Sequence, residues 1–195
     1  MFKLITILVG VLLSSLSFAD FFTDWALVSD SSNFTIGTTK NETVTEVHKI
    51  QKLDGFVHNN GITRVNVNLL SIDTGIEIRD ERMQSMLFST ATQAVYSATL
   101  DMEKFSKIKA GESKEFQLQG TLEMNDQSIR MPVTTKITRL HSGNYQVETV
   151  TANKIDVGKF GFSGGIEQLR AIANLKNISP VVTFEFKLEF EPIEV

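Results

Sequence analysis

The sequence contains no cysteine. That excludes disulfide staples, thiol redox chemistry, iron–sulfur clusters and zinc sites built from thiolates. A chain without covalent staples must rely on its core, and 195 residues suffice to bury a sizeable one. Histidine is scarce as well. His48, His58 and His141 are the only three, and none stands at metal-ligand spacing from another. Positive charge is not in excess: 19 Lys and Arg against 23 Asp and Glu give a formal net charge of −4. The basic residues are scattered, which removes the electrostatic footprint of a nucleic-acid binder and of a polybasic lipid-headgroup patch. Long apolar runs are missing too. The longest, Leu4 to Leu13, spans roughly ten residues, too few to cross a ~30 Å hydrocarbon core as a helix.

That short run reads instead as a secretory signal. Lys3 supplies the positive start, and Ser17-Phe18-Ala19 places small residues where a signal peptidase reads them. Cleavage after Ala19 is expected. Residues 1–19 are then the signal peptide, and 20–195 form one exported β-barrel domain in a bacterial periplasm. The triplets at Asn33, Asn41 and Asn177 match the glycosylation pattern but arise readily by chance.

What fills the rest of the chain is alternation. Val65, Val67 and Leu69 lie on one face, with Arg64, Asn66 and Asn68 on the other. Phe116, Leu118, Gly120 and Leu122 alternate with Glu115, Gln117, Gln119 and Thr121. Ile129, Met131, Val133 and Ile137 alternate with polar neighbours, and so do Tyr145 and Val147. The run Val182, Phe184, Phe186, Leu188, Phe190 against Thr183, Glu185, Lys187, Glu189 is the clearest. A period of two with one wet face indicates antiparallel strands. Turn residues separate the runs at Asn59-Asn60-Gly61, Lys109-Ala110-Gly111, Asn125-Asp126 and Ser142-Gly143-Asn144. With weaker strands near 25–29, 33–39 and 44–57, the expectation is an all-β antiparallel barrel of about eight strands, closed and able to hold one small ligand.

Two segments follow a helical period. Asp80 to Phe88 has Asp80 as an expected N-cap, with Met83, Met86 and Leu87 on one face. Ile166 to Leu175 spaces Ile166, Leu169, Ile172 and Ala173 helically after a glycine-rich approach. The catalytic matches are weak. Asp73-Thr74-Gly75 resembles an aspartic-protease loop, but that chemistry needs a second such loop and there is none. No Gly-x-Ser-x-Gly elbow occurs, and the closely spaced glycines 158, 161 and 164 lack the lysine of a phosphate loop. His48 and His58 would meet only if their strands paired.

Ser71 to Phe88 is more informative. Ser71-Ile72, Thr74, Arg79-Asp80, a short helix and Phe88 together resemble the signature of the YceI-like family. Trp25, Gly55-Phe56 with Gly61-Ile62, Gly120-x-Leu122, Met131-Pro132-Val133, Asp156 with Phe160-Gly161, and Val181 with Phe184 and Phe186 follow in that family's order. The resemblance covers nearly all of residues 20–195. The first hairpin and the Asn125-Asp126-Gln127 turn depart from it. Arg79 and Asp80 are expected to tie the strand-to-helix loop down.

The resemblance implies a lipocalin-like barrel that binds a polyisoprenoid, an isoprenoid quinone or a related lipid, with no cofactor, no metal and no catalysis. The pocket would be lined by Val65, Val67, Leu69, Met83, Met86, Phe88, Phe116, Leu118, Phe160, Phe184, Phe186 and Leu188. The expected partner is an apolar or amphiphilic small molecule, not nucleic acid. The protein is not expected to be integral to a membrane, and a homodimer is left open. An interaction or stress-related structural module of the periplasm, with those side chains filling a solid core, is the alternative.

Overall fold

The computed structural model describes residues 24–193. The expected signal segment and its cleavage site lie outside these residues. The chain forms twelve strand segments joined in one antiparallel sheet. They are β1 (Trp25–Leu27), β2 (Asn33–Lys40), β3 (Val44–Ile50), β4 (Leu53–Val57), β5 (Ile62–Asn68), β6 (Ile72–Asp73), β7 (Gln93–Thr99), β8 (Ser113–Met124), β9 (Gln127–Arg139), β10 (Tyr145–Thr149), β11 (Asn153–Asp156) and β12 (Val181–Pro192). Four pairs of segments, β1/β2, β3/β4, β5/β6 and β10/β11, are single long strands with an interruption. The sheet is therefore an eight-stranded up-and-down barrel, as the alternation predicts.

Strand β12 closes the ring. Its C-terminal half pairs with β1, Trp25 opposite Pro192 and Leu27 opposite Phe190, and with β10 on the other side. Its N-terminal half pairs with β2 and β11. The interruptions act as bulges, which sharpen the twist a small barrel needs. At the β1/β2 break, Ser32 fills the gap: its hydroxyl donates to the Val28 carbonyl at 2.7 Å and accepts from the Glu189 N–H at 3.0 Å. A three-residue turn, 41–43, joins β2 to β3, and a two-residue turn, 125–126, joins β8 to β9. In them Asn41 and Glu42, and Asn125 and Asp126, all have positive φ, the backbone that suits the strands' own twist.

Among the described residues there are three α-helices where the sequence pattern indicates two: α1 (Glu77–Met86), α2 (Met102–Ser106) and α3 (Ser163–Ile172). Helix α2 has only five residues and a single buried side chain, Phe105, so no periodicity announces it. Helix α1 begins three residues before Asp80, which is therefore not the N-cap. The cap residue is Ile76, which makes no side-chain capping bond. Asp80 instead accepts from the Thr74 N–H at 2.9 Å and from the Thr74 hydroxyl. Arg79 donates to the Thr74 hydroxyl at 2.9 Å and carbonyl at 3.0 Å. Both residues tie the loop down as expected.

The two ends of the barrel are built differently. At one end sit the β4–β5, β7–β8 and β9–β10 connections, and α2 fills it. Phe105, Ile108 and Ile137 form a compact cluster there, with Ile108 fully buried and Phe105 tilted onto Phe116 at 4.6 Å. Trp25 and Tyr145 meet edge to face beside it. At the other end α1 and α3 lean on each other across the opening. Gly165 permits this approach, because a Cβ there would lie 2.3 Å from the Met86 carbonyl oxygen.

Candidate functional site

Between the α2 cluster and the α1–α3 cover the barrel is hollow. The cavity measures about 500 Å³, within the roughly 300–1,000 Å³ usual for small-molecule sites. Its walls come from the inward residues of almost every strand. Leu118, Ile137 and Val147 lie toward the α2 end, Val65, Val67 and Met131 midway, and Phe34, Ile36, Phe184 and Phe186 along the β2–β12 side. Met83, Leu87, Ile166 and Leu169 roof it from α1 and α3. Phe34 and Phe184 stack nearly parallel at 5.9 Å, giving a flat aromatic wall. Tyr96 fits because Gly120, diagonal to it on β8, has no side chain, and its hydroxyl donates to the Met131 carbonyl at 3.1 Å. Burial pushes the Tyr96 phenol up to about 12, so it stays protonated.

Of the twelve lining residues predicted from sequence, Val65, Val67, Leu69, Met83, Phe88, Leu118, Phe184, Phe186 and Leu188 line this cavity. Three do not. Phe116 points inward but packs on Phe105 in the solid end. Phe160 is fully buried in a 3-10 turn, where a strand's period of two carries no information, and packs in the core. Met86 ends α1 against the α3 backbone.

One part of the wall is polar, and the sequence reading missed it. Strands β2 and β3 pair with Phe34 opposite Ile50, Ile36 opposite His48, Thr38 opposite Glu46 and Lys40 opposite Val44. The inward phase that begins with Phe34 and Ile36 therefore continues into Thr38 and Lys40, and on β3 it brings in His48 and Glu46. All four of these polar side chains line the cavity, joined by Arg79 and Arg82 from α1. Glu46 holds Lys40 at 2.9 Å and Arg79 at 3.0 Å. The Lys40 contact, then Arg79, keep its carboxyl below the usual carboxylate value despite partial burial. One layer deeper, His48 is only 4% exposed, and its Nε2 is hydrogen-bonded to the Thr38 hydroxyl at 3.0 Å. Burial first, and the Arg79 charge second, lower its pKa below 6.5, so the ring is neutral at pH 7.

The other histidines lie elsewhere. His58 and His48 stand on successive parts of one interrupted strand, so they cannot pair across it; His58 binds Asp24 at 2.9 Å near the α2 end. No metal-binding group of three His, Cys, Asp or Glu occurs among the described residues. Asp73-Thr74-Gly75 is a turn: one Asp73 oxygen accepts from the Gly75 N–H at 2.8 Å, the other from Gln51 at 2.8 Å.

A closed antiparallel barrel around an apolar cavity with one polar patch defines a lipocalin-like fold. Within that class, the YceI-like domain model matches residues 25–190, and the chain belongs to that family. A polyisoprenoid binding domain from Saccharophagus degradans, implicated in plant cell wall breakdown, is 26% identical. The match covers 87% of this chain and 98% of that one, with a TM-score of 0.83. Burkholderia cenocepacia BcnA shares the fold at 13% identity and a TM-score of 0.64, over 84% of this chain and 98% of its own. No curated protein matches the sequence.

Proposed function

We propose that this protein is an exported, periplasmic binding protein that carries the apolar chain of a polyisoprenoid, an isoprenoid quinone or a related lipid inside its barrel, without catalysing a reaction on it. The observation that carries the reading is the cavity of about 500 Å³, walled by Val, Leu, Ile, Phe and Met side chains in a barrel like that of a polyisoprenoid binding domain. Each buried CH₂ is worth about 0.8 kcal/mol, so a few five-carbon units supply the affinity without a charged contact. The roof suits a variable chain, because Met83 is flexible and polarizable and α3 keeps no fully buried residue. The nine predicted residues on the wall would touch the chain directly.

The test is solvent extraction of the protein purified from its own periplasm, followed by mass spectrometry of the extract. A stoichiometric isoprenoid or other long-chain lipid is expected. Protein that carries none, and takes up none from an extract of its own membranes, would leave a packed or interaction module instead.

A further inference from the structure

The polar patch has an internal order that points to a head group. Lys40, Glu46 and Arg79 satisfy one another at the outer layer, and Arg79 is further engaged by Thr74. The layer below holds His48, buried among Ile36, Ile50 and the aromatic wall. Its Nδ1 is the one buried side-chain nitrogen or oxygen among the described residues with no hydrogen-bond partner. Buried polar atoms in folded proteins are almost always satisfied, so an orphan on a residue of the cavity wall calls for an explanation, and a partner entering the cavity as the ring turns to meet it supplies one. The orphan is a neutral nitrogen that can take either role. With Nε2–H donating to Thr38, Nδ1 accepts; with the Thr38 hydroxyl donating to Nε2, Nδ1–H donates.

Resting on the chain-binding reading above, we propose that His48 is the head-group reader of the cavity: its Nδ1 hydrogen-bonds an uncharged oxygen head group, an alcohol or a carbonyl, at the end of the apolar chain. An anionic head group fits this layer poorly. An anion would be held at the outer layer, where Arg82 lines the cavity beside the Glu46-bound Lys40 and Arg79, whereas the neutral His48 one layer deeper offers a hydrogen bond and no charge. The chain then runs from His48 toward Leu118 and Ile137, along the apolar wall.

The experiment measures binding of four probes of equal chain length to the intact protein freed of lipid: geranylgeraniol, geranylgeranial, geranylgeranyl monophosphate and the hydrocarbon lacking a head group. The alcohol and the aldehyde should bind about tenfold tighter than the hydrocarbon, the worth of one net hydrogen bond. His48→Phe should bind all but the phosphate about as well as the parent binds hydrocarbon, losing the preference. His48→Asn, which places a polar atom near Nδ1, should retain part of it. In the parent, the Nδ1 resonance in ¹⁵N spectra should shift with the alcohol and not with the hydrocarbon, a readout that needs no variant. A preference for the alcohol that survives in His48→Phe, a phosphate that binds tightest, or an Nδ1 resonance that ignores the alcohol would each overturn the assignment while leaving chain binding standing. Failure of all four probes to bind the parent would remove the chain-binding reading and the head-group site together.

Discussion

The two ends of the barrel use the same strands to opposite effect. At the α2 end, Phe105 and Ile108 are driven between the strands and meet Phe116 and Ile137 in a solid cluster. At the α1–α3 end the buried rings, Phe88, Phe160 and Phe162, pack beside the helix ends and leave the cavity beneath the helices. The helices lie across the opening instead, and only Met83 of α1 is fully buried. One alternating pattern can therefore close a core or leave a hollow. What decides is whether the connection at that end supplies an aromatic plug or a lid.

The largest effect that separates the two ends is expected from Phe105→Ala. It opens the plug and should cost about 3–5 kcal/mol in denaturant unfolding. A loss under about 1 kcal/mol would mean that the α2 end is not the packed one. Arg79→Ala comes next, at about 1–3 kcal/mol, because Glu46, the Thr74 hydroxyl and the Thr74 carbonyl each lose one partner, the first two keeping Lys40 and Asp80. Thermal unfolding measures it, and Arg79→Lys should recover only part, since an ammonium cannot reach all three acceptors.

A smaller effect is expected from acid. The folded pKa of His48 lies below 6.5, so the unfolded chain takes up this proton first. Its contribution to stability is complete above pH 6.5 and is lost as pH falls. Glu46 acts with the same sign, beginning below about its ordinary 4.5. Unfolding midpoints should thus decline in two stages on acidification. His48→Phe should abolish the first stage and keep the second, although Arg79, Glu46, Asp80 and Lys40 still surround the position. An undiminished first stage in that variant would place the titration elsewhere.

Much of the barrel was readable because its strands are wet on one face. Val65, Val67 and Leu69, and Phe184 to Leu188, declare the interior by period alone. Helices α1 and α3 were readable within about three residues, the start of α1 slipping because it has no side-chain cap, while the five-residue α2 was not readable. The polar patch was not. On β3 Val47 points outward at 69% exposure while Glu46 and His48 point in, and Val44, in their phase, stands exposed at the strand's turn end. A rule that sends apolar side chains inward takes Val47 for the inner face there and leaves Glu46 and His48 outside. The signal lay in phase with Phe34 and Ile36: the same face reaches Thr38 and Lys40, and pairing carries it to His48. Phe116 was expected in the cavity because period shows which way a residue faces, not whether the space beyond it is filled; Phe160 was expected there on the family resemblance, outside any alternating run.

The smallest expected change in stability tests the central claim most directly. Val67→Phe places a ring in the hollow, where it should cost under about 1 kcal/mol, against roughly 1–3 kcal/mol in a packed core. Native mass spectrometry of parent and variant, purified side by side, then reads the cavity's content. The account predicts a lipid adduct on the parent and bare protein for Val67→Phe, with unfolding midpoints close together. Equal lipid content in the two, or a variant that unfolds early with a parent that carries no lipid, would contradict it.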